Sequence, residues 1–532
     1  MSGRAAGGVV VAPQSEAAFE GARVLREGGN AADAAVAAAL VQGVVDPHRC
    51  GLGGFGCSTL LFPKRGGAVC VDFHGRAGAR ARPDQWEALF ESEAPDGFGY
   101  VIRGKANDAG YQSITVPGVA AGLGEIHRRF GTMPWRDLVR RAVPYAEGGF
   151  LVSPTLAYYW ARPGAFGRYA TPERLGLTAE GRRVCLKPGG ATYAAGEVFR
   201  QPELARTYRR LADEGPEGFY RGELARDMLR DLEANGALVD AGDFARYRAE
   251  VRPPLEGGYR GLRLLTSPLP GGGVALLQAL ALLEPDDLAA LGHNSPAYVE
   301  RVGAVLRAVL RDRLAHHGDP AFGARPEREL LAPEYLAGLA AGRAQGGAEA
   351  PGTTQLSVLD GEGNAVSLSH SLGFGSGVFS PGLGFMYNNC MSGFDPRPGR
   401  TNSLAPGKAR TTAVAETLAL RGDGLALVLG SPGAAKITAG LVQVLLNVVD
   451  FGMNVAEAVV HPRFYAFGDR GLEFDARTPL PFVAEMARRG WEVTQSPLSF
   501  GVVGRVYAIE TAAGRPHVAG VDPGEPGAAY RA

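Results

Sequence analysis

Residues 353–371 read TTQLSVLDGEGNAVSLSHS, and no other stretch restricts the fold of this chain as tightly. Two β-prone runs, 353–359 and 365–371, flank Asp360-Gly361-Glu362-Gly363-Asn364, a glycine-containing loop of hairpin type. Side chains alternate along a strand. Thr353, Gln355 and Ser357 therefore share one face of the first run, and Thr354, Leu356 and Val358 the other. A hairpin with this loop returns Ser369, His370 and Ser371 toward the start of the first strand. It can bring the hydroxyls of Thr353 and Ser371 together at its open end. Taken alone, a threonine at a strand start needs no function, because β-branched residues suit strands.

The rest of the chain mixes helix and strand patterns. Residues 9–12 read as a short strand. Ser15 reads as the cap of a helix whose Ala18, Phe19, Ala22 and Leu25 make one apolar face, with Gly28-Gly29 ending it. A second helix, from Ala31 to about Gln42, is almost all small and apolar and should be buried. The run GLGGFG (Gly51–Gly56) follows, then a strand pattern over 58–62. From about 132 to 339 the pattern is mostly helical, as in 135–147, 204–213, 224–235, 274–283 and 298–311. From 353 onward strands dominate, with 425–429 a further one. Between these halves, residues 339–352 (LAAGRAQGGAEAPG) are small and without apolar period, which predicts a surface linker.

Several function classes are excluded by what is missing. Lys+Arg and Asp+Glu both number 55, so neither a nucleic-acid binder nor a polybasic membrane-surface protein is indicated. The apolar stretch 31–45 is too short for a membrane span, and Asp33 and Gln42 interrupt it. The N-terminus lacks a convincing signal peptide, which makes the cytoplasm the expected location. Cys50, Cys57, Cys70, Cys185 and Cys390 are scattered, with no CxxC pair, and should be small buried residues in a reducing compartment. GLGGFG matches GxGxxG formally, but a dinucleotide fingerprint follows a strand and opens a helix, whereas here the order is helix, glycines, strand. No phosphate loop, HExxH or G-x-S-x-G elbow is present, and His316-His317 has no i,i+4 partner, so no cofactor and no metal are expected.

Four blocks in order carry a resemblance. GGNAADAAVAAALVQGVVDPHRCGLGGFG (28–56), ITVPGVAAGLGEIHRRFGTMPWRDLVRRAVPYAEGGFLVS (114–153), TTQLSVLDGEGNAVSLSHSL (353–372), and GSPGAAKI with DFGMNVAEAVVHPRF (430–437, 450–464) resemble the γ-glutamyltransferase family of N-terminal-nucleophile hydrolases. The resemblance implies an α/β, four-layer αββα sandwich made as one inactive precursor. It implies cleavage between Gly352 and Thr353, into segments 1–352 and 353–532 that stay together as a heterodimer and build one compact domain. It leaves any higher oligomer open. It further implies that Thr353 is the nucleophile, that Ser371 bonds it, and that the N–H groups of Gly433 and Ala434 form the oxyanion hole. Ala434 stands where the family has glycine.

The match weakens at the substrate side. The family's D-F-R-E, whose arginine takes the substrate α-carboxylate, reads Asp72-Phe73-His74-Gly75-Arg76 here, so His74 stands at that position and Arg76 lies two residues on. Gly373 stands where the family has an asparagine. The family segment that supplies an acid for the α-amine reads YNNCMSGF (387–394), placing Cys390 and Gly393 at the amine-binding positions. The family's Ser-Ser pair falls among Thr411, Thr412 and Ala413. Arg410 and Lys436 complete the candidates for holding a small-molecule acyl group. By resemblance, such altered patterns occur in oxamate-type amidohydrolases and in C–C-cleaving enzymes of 4-alkylproline antibiotic pathways. The expectation is a self-processing acyl hydrolase acting on something other than γ-glutamyl. The alternatives are an ordinary γ-glutamyl hydrolase of glutathione-like substrates and a catalytically idle subunit.

Overall fold

The alternation within residues 353–371 decides where the two sheets of this protein meet. A computed structural model describes residues 7–94, 99–165, 167–340, 353–497, 503–511 and 516–532. The hairpin forms as Thr353–Leu359 and Ala365–Ser371, with Thr353 opposite Ser371 and Leu359 opposite Ala365. It is central to a seven-stranded sheet in the order Ala528–Arg531, Val9–Ala12, Thr353–Leu359, Ala365–Ser371, Phe55–Phe62, Gly67–Phe73, Glu250–Arg252. A six-stranded sheet runs Val518–Val521, Tyr507–Glu510, Gly424–Gly430, Thr417–Arg421, Leu262–Thr266, Leu255–Tyr259. Strand pairs in both are antiparallel.

The face bearing Thr353 turns toward the second sheet. At the loop end of the hairpin that face is apolar: Leu359 and Ala365 pack with Val9, Leu61, Val428 and Ile509. Toward the open end it becomes polar. Ser357 Oγ donates to the Tyr507 carbonyl at 3.0 Å, and Ser367 Oγ to the Leu429 carbonyl at 2.9 Å. One layer between the sheets is thus oil at one end and hydroxyls at the other, and the hydroxyl end is where chemistry can be placed.

The opposite face packs on helices. Leu356, Val358, Val366 and Leu368 join the core under Ala31–Val45, a helix buried along its whole length. Its two polar residues have definite tasks. Asp33 completes a capping box with Asn30. Gln42 donates from Nε2 to Gln14 Oε1, Thr354 Oγ1 and the Gln355 carbonyl, at 2.7, 3.0 and 3.0 Å. On the far side, Gly273–Leu283, Pro296–His316 and Ile437–Val449 cover the six-stranded sheet. The layers run helix, sheet, sheet, helix, as the resemblance implied.

Two readings of the sequence need correction. The first helix starts at Ser15 itself, after Gln14, and no side chain caps it; Ser15 Oγ instead meets Tyr530 Oη at 3.2 Å. Phe19 is 39% exposed and rests edge-on against Tyr530, off the expected apolar face. The stretch 132–339 is mostly helical, as expected, but residues 250–266 supply three strands to the two main sheets. Gly257, Gly258 and Gly261 hid that signal, since glycine is poor in strands yet tolerated at the sheet edge where Leu255–Tyr259 lies. The five cysteines are free and buried, as expected. Among the described residues, no helix is long and apolar enough to cross a membrane.

Candidate active site

At the open end of the hairpin Thr353 Oγ1 donates to Ser371 Oγ at 3.2 Å. Ser371 Oγ also accepts the Gly373 N–H at 2.9 Å. Both side chains are buried. Gly352 and the linker 341–352 lie outside the described residues. The turn after Ser371 is held from below by Asn389. Its Oδ1 accepts the Phe374 N–H at 2.8 Å while its Nδ2 donates to the Asp108 carbonyl at 2.8 Å. Gly373 has φ +70°, and a Cβ there would lie 2.4 Å from Asn389 Oδ1, so a side chain at this position would strain the backbone and push Asn389 aside. The GLGGFG run lies behind the return strand. A Cβ on Gly54 or Gly56 would come within 2.4 or 2.2 Å of the carbonyl oxygens of Ser371 and Ser369. Close backbone approach, not phosphate binding, explains those glycines.

The second sheet brings a turn to the same end. A Cβ on Gly430, where its strand stops, would lie 2.1 Å from Gln355 Nε2, two residues along the strand from Thr353. The chain then turns through Ser431 and Pro432 to Gly433 at φ +138° and Ala434 at φ +49°. The Ala434 backbone is left-handed, which costs a non-glycine residue roughly 1 kcal/mol. Strain of this kind collects at functional sites. Among the described residues neither the Gly433 nor the Ala434 N–H donates a hydrogen bond. Two adjacent uncommitted amides in a buried turn can receive a developing negative charge.

The substrate-side candidates divide into two groups. His74 is closed in: Nδ1 bonds Asp72 Oδ1 at 2.6 Å, Nε2 bonds Thr412 Oγ1 at 2.9 Å, and its carbonyl accepts Tyr247 Oη at 2.8 Å. Burial opposes the charge of Asp72, but His74 and Arg252 outweigh it and hold the carboxyl well below its usual range. His74 therefore fixes the Thr412 hydroxyl with both ring nitrogens committed. Arg76 is taken by Glu250 and by Asp319 at 3.3 Å. Lys436 is taken by Glu473 at 2.7 Å. Thr411 leans on the Pro270 carbonyl at 3.5 Å.

Arg410, Gly373, Cys390 and Gly393 come together. A Cβ on Gly393 would lie 2.4 Å from Arg410 Cδ, and one on Gly373 would lie 3.9 Å from Arg410 Nη2. The guanidinium sits over the Phe55 ring at 5.1 Å. Burial pushes the Cys390 thiol up, and nearby Arg410 partly opposes this. The bare α-carbon at Gly393 thus makes room for a buried cation. On the outer side of the Gly373-Phe374 turn an open cleft is walled by Arg49, Tyr159, Arg168 and Arg174.

Sequence reasoning passed over Asp72, Tyr247, Asn389 and Phe55. The D-x-H spacing at a strand end was the available signal for Asp72, since alternation puts both side chains on one face. Asn389 stood in the quoted YNNCMSGF without a role.

The family model described as gamma-glutamyltranspeptidase matches residues 17–532. Acylase ACY 1 proenzyme of Pseudomonas sp. (strain V22) is 34% identical over 506 residues, 92% of this chain and 88% of that protein. Glutathione hydrolase proenzyme of Pseudomonas aeruginosa is 31% identical over 539 residues, 95% of this chain and 92% of that protein. The crystal structure of cephalosporin acylase from Bacillus halodurans superposes with a TM-score of 0.87 at 27% identity, covering 99% of this chain and 96% of that one.

Proposed function

The chain belongs to the gamma-glutamyltranspeptidase family of N-terminal-nucleophile hydrolases, and on that premise we propose a self-processing amidohydrolase with Thr353 as nucleophile and an acyl group other than γ-glutamyl. In the first reaction the Thr353 hydroxyl attacks the Gly352 carbonyl, and the peptide bond is replaced by an ester. Water hydrolyses the ester, leaving a carboxylate on Gly352 and a free amine on Thr353. That α-amine, with an ordinary pKa near 7.7–8.0, takes the proton of its own hydroxyl in each later turnover. The acyl group passes to Thr353, the amine leaves with a proton, and water releases the acid. Ser371 orients the hydroxyl, and the Gly433 and Ala434 amides meet the oxyanion, each such donor being worth about 2.7–4 kcal/mol. The relatives' description as proenzymes supports the two-chain product.

The observation that carries the acyl assignment is Arg410 lying against Gly393. A γ-glutamyl group brings an ammonium, and here it would meet a guanidinium. Both ring nitrogens of His74 are also committed, so His74 is a poor reader of the α-carboxylate. Such a pocket suits a short acyl group that carries a carboxylate and no amine, of the oxalyl kind. The open cleft beyond Phe374 gives the departing amine a way out. Resemblance to glutathione hydrolases supports the second reading, ordinary γ-glutamyl hydrolysis. The deciding experiment compares kcat/KM for γ-glutamyl p-nitroanilide with a panel of small oxo-acid and dicarboxylic amides. We expect the γ-glutamyl substrate to trail by orders of magnitude, since unmatched buried polar groups discriminate by roughly 10⁴–10⁵. Equal rates would hand the assignment to the second reading.

A further inference from the structure

The turn that follows Ser371 is gripped by two side chains. Asn389 takes the Phe374 N–H. The second grip comes from Arg174, in the short helix Thr171–Leu175. Its buried guanidinium donates three hydrogen bonds of 2.6 Å: from Nη1 to the Gly375 and Asp108 carbonyls, and from Nη2 to Asp108 Oδ2. Asp108 is buried as well, and its Oδ2 also accepts the Tyr169 N–H at 3.1 Å. The Asp108 carbonyl takes Asn389 Nδ2 at 2.8 Å, so the two grips meet on one residue. A guanidinium presents its donors in a rigid fork that an ammonium does not copy, and bonds of this kind to a carboxylate are strong.

What this clamp holds leads directly to the reacting pair. The Gly375 carbonyl is tied to Arg174, and the Gly375 N–H donates to the Leu372 carbonyl at 3.1 Å. Between them the Gly373 N–H donates to Ser371 Oγ, which accepts Thr353 Oγ1. Gly373 and Gly375 have φ of +70° and +77°. Glycine adopts many conformations, so a turn with glycine at both places has little stiffness of its own, and its partners must impose its shape. Arg174 also forms part of the wall of the open cleft beyond Phe374. We propose that Arg174, fixed by Asp108, is a positioning residue: it imposes the 373–375 turn that aims the Ser371 hydroxyl at Thr353, and so governs the rate of self-cleavage and of acyl transfer without touching a reacting atom. The proposal rests on the reading of Thr353 as nucleophile and adds to it a control residue from the other segment of the chain.

The test follows self-cleavage on denaturing gels after cell-free synthesis, in the unmodified chain, Arg174→Ala, Arg174→Lys and Asp108→Asn. Arg174→Ala should cleave itself about 100-fold more slowly, the scale of misplacing a reacting group by about 1 Å. Arg174→Lys keeps the charge without the fork and should recover only part of the rate. Added guanidinium ion, at concentrations too low to unfold the protein, should speed self-cleavage of Arg174→Ala and not of the unmodified chain. In the processed enzyme the loss should fall on kcat with KM little changed, because the acyl pocket is untouched. A merely structural arginine would give a lower Tm with a normal rate in the folded fraction, and that result overturns the proposal. If Arg174→Ala does not fold, Asp108→Asn decides, since it keeps the backbone carbonyl and the side-chain shape: slower self-cleavage supports the clamp and a normal rate overturns it. Amide hydrogen exchange gives a reading independent of the chemistry. Peptides covering 372–376 should exchange faster in Arg174→Lys and Asp108→Asn, and those covering 353–359 should not. If the unmodified chain never cleaves itself, the self-processing reading fails. Faster exchange confined to the turn would then still support the clamp, and unchanged exchange would overturn it.

Discussion

At the residue scale, the behaviour of the site turns on groups whose environment decides their charge or freedom. Thr353→Ala should remain one chain and be inactive, because it removes the attacking oxygen. Thr353→Ser should still process, since it keeps the oxygen and loses a methyl group. Denaturing gels and N-terminal sequencing check both, and turnover by Thr353→Ala would move the chemistry to another residue. Glu416 allows a pH prediction. It is fully buried, and burial pushes its pKa from 4.5 up to about 8, outweighing its own backbone amide, Ser369 and Cys57, which pull it down. The folded state therefore holds a proton that the unfolded chain has released between these values. Its contribution to stability is complete below about pH 4.5 and is lost as pH rises toward 8, at up to about 1.4 kcal/mol per pH unit. Glu416→Gln cannot ionise, so it should match the native protein near pH 4.5 and exceed its stability at pH 8. Thermal unfolding across that range is the measurement, and parallel curves would refute the assignment.

At the element scale, what was legible in the sequence was what local rules control. Alternation and a glycine loop suffice to put Thr353 across from Ser371. Small residues throughout 31–45 suffice to bury that helix. The uses of Gln42 and Asp33 were not legible, because both depend on what the helix packs against. The same limit applies at the site: His74 was readable as a change of residue type, but its closure between Asp72 and Thr412 joins strand to distant loop. Arg410 and Gly393 are seventeen residues apart in chain order, and their contact follows from the path of the chain between them. Glycine spacing was ambiguous for a similar reason. It signals that something comes close without naming what. Gly54→Ala tests whether close backbone approach is the task of the GLGGFG run: its Cβ would strike the Ser371 carbonyl and shift the return strand under Thr353. We expect slowed or abolished processing in a protein that still folds. Normal processing in Gly54→Ala would mean the strand yields without disturbing the site.

At the scale of the whole molecule, the two segments are woven together. Val9–Ala12 pairs with Thr353–Leu359 on one side and with Ala528–Arg531 on the other. Leu262–Thr266 pairs with Thr417–Arg421 in the second sheet. The pieces released by a cut before Thr353, roughly 37 and 19 kDa if the 55.7 kDa chain divides in proportion to length, should therefore co-elute in gel filtration without denaturant. Separation in mild buffer would show that the shared sheets do not hold them.

That weaving gives the molecule a direction in time. Folding a single chain closes strands that are already tethered, whereas rebuilding the same sheets from two detached pieces requires them to meet, at a cost that grows with dilution. A cut that leaves every strand in place still erases the instruction by which they were assembled. Thr353→Ala should recover from urea at a yield independent of protein concentration, and the processed enzyme should recover poorly and only as concentration is raised. The mature protein would then be a structure its own fragments can keep but cannot readily make again.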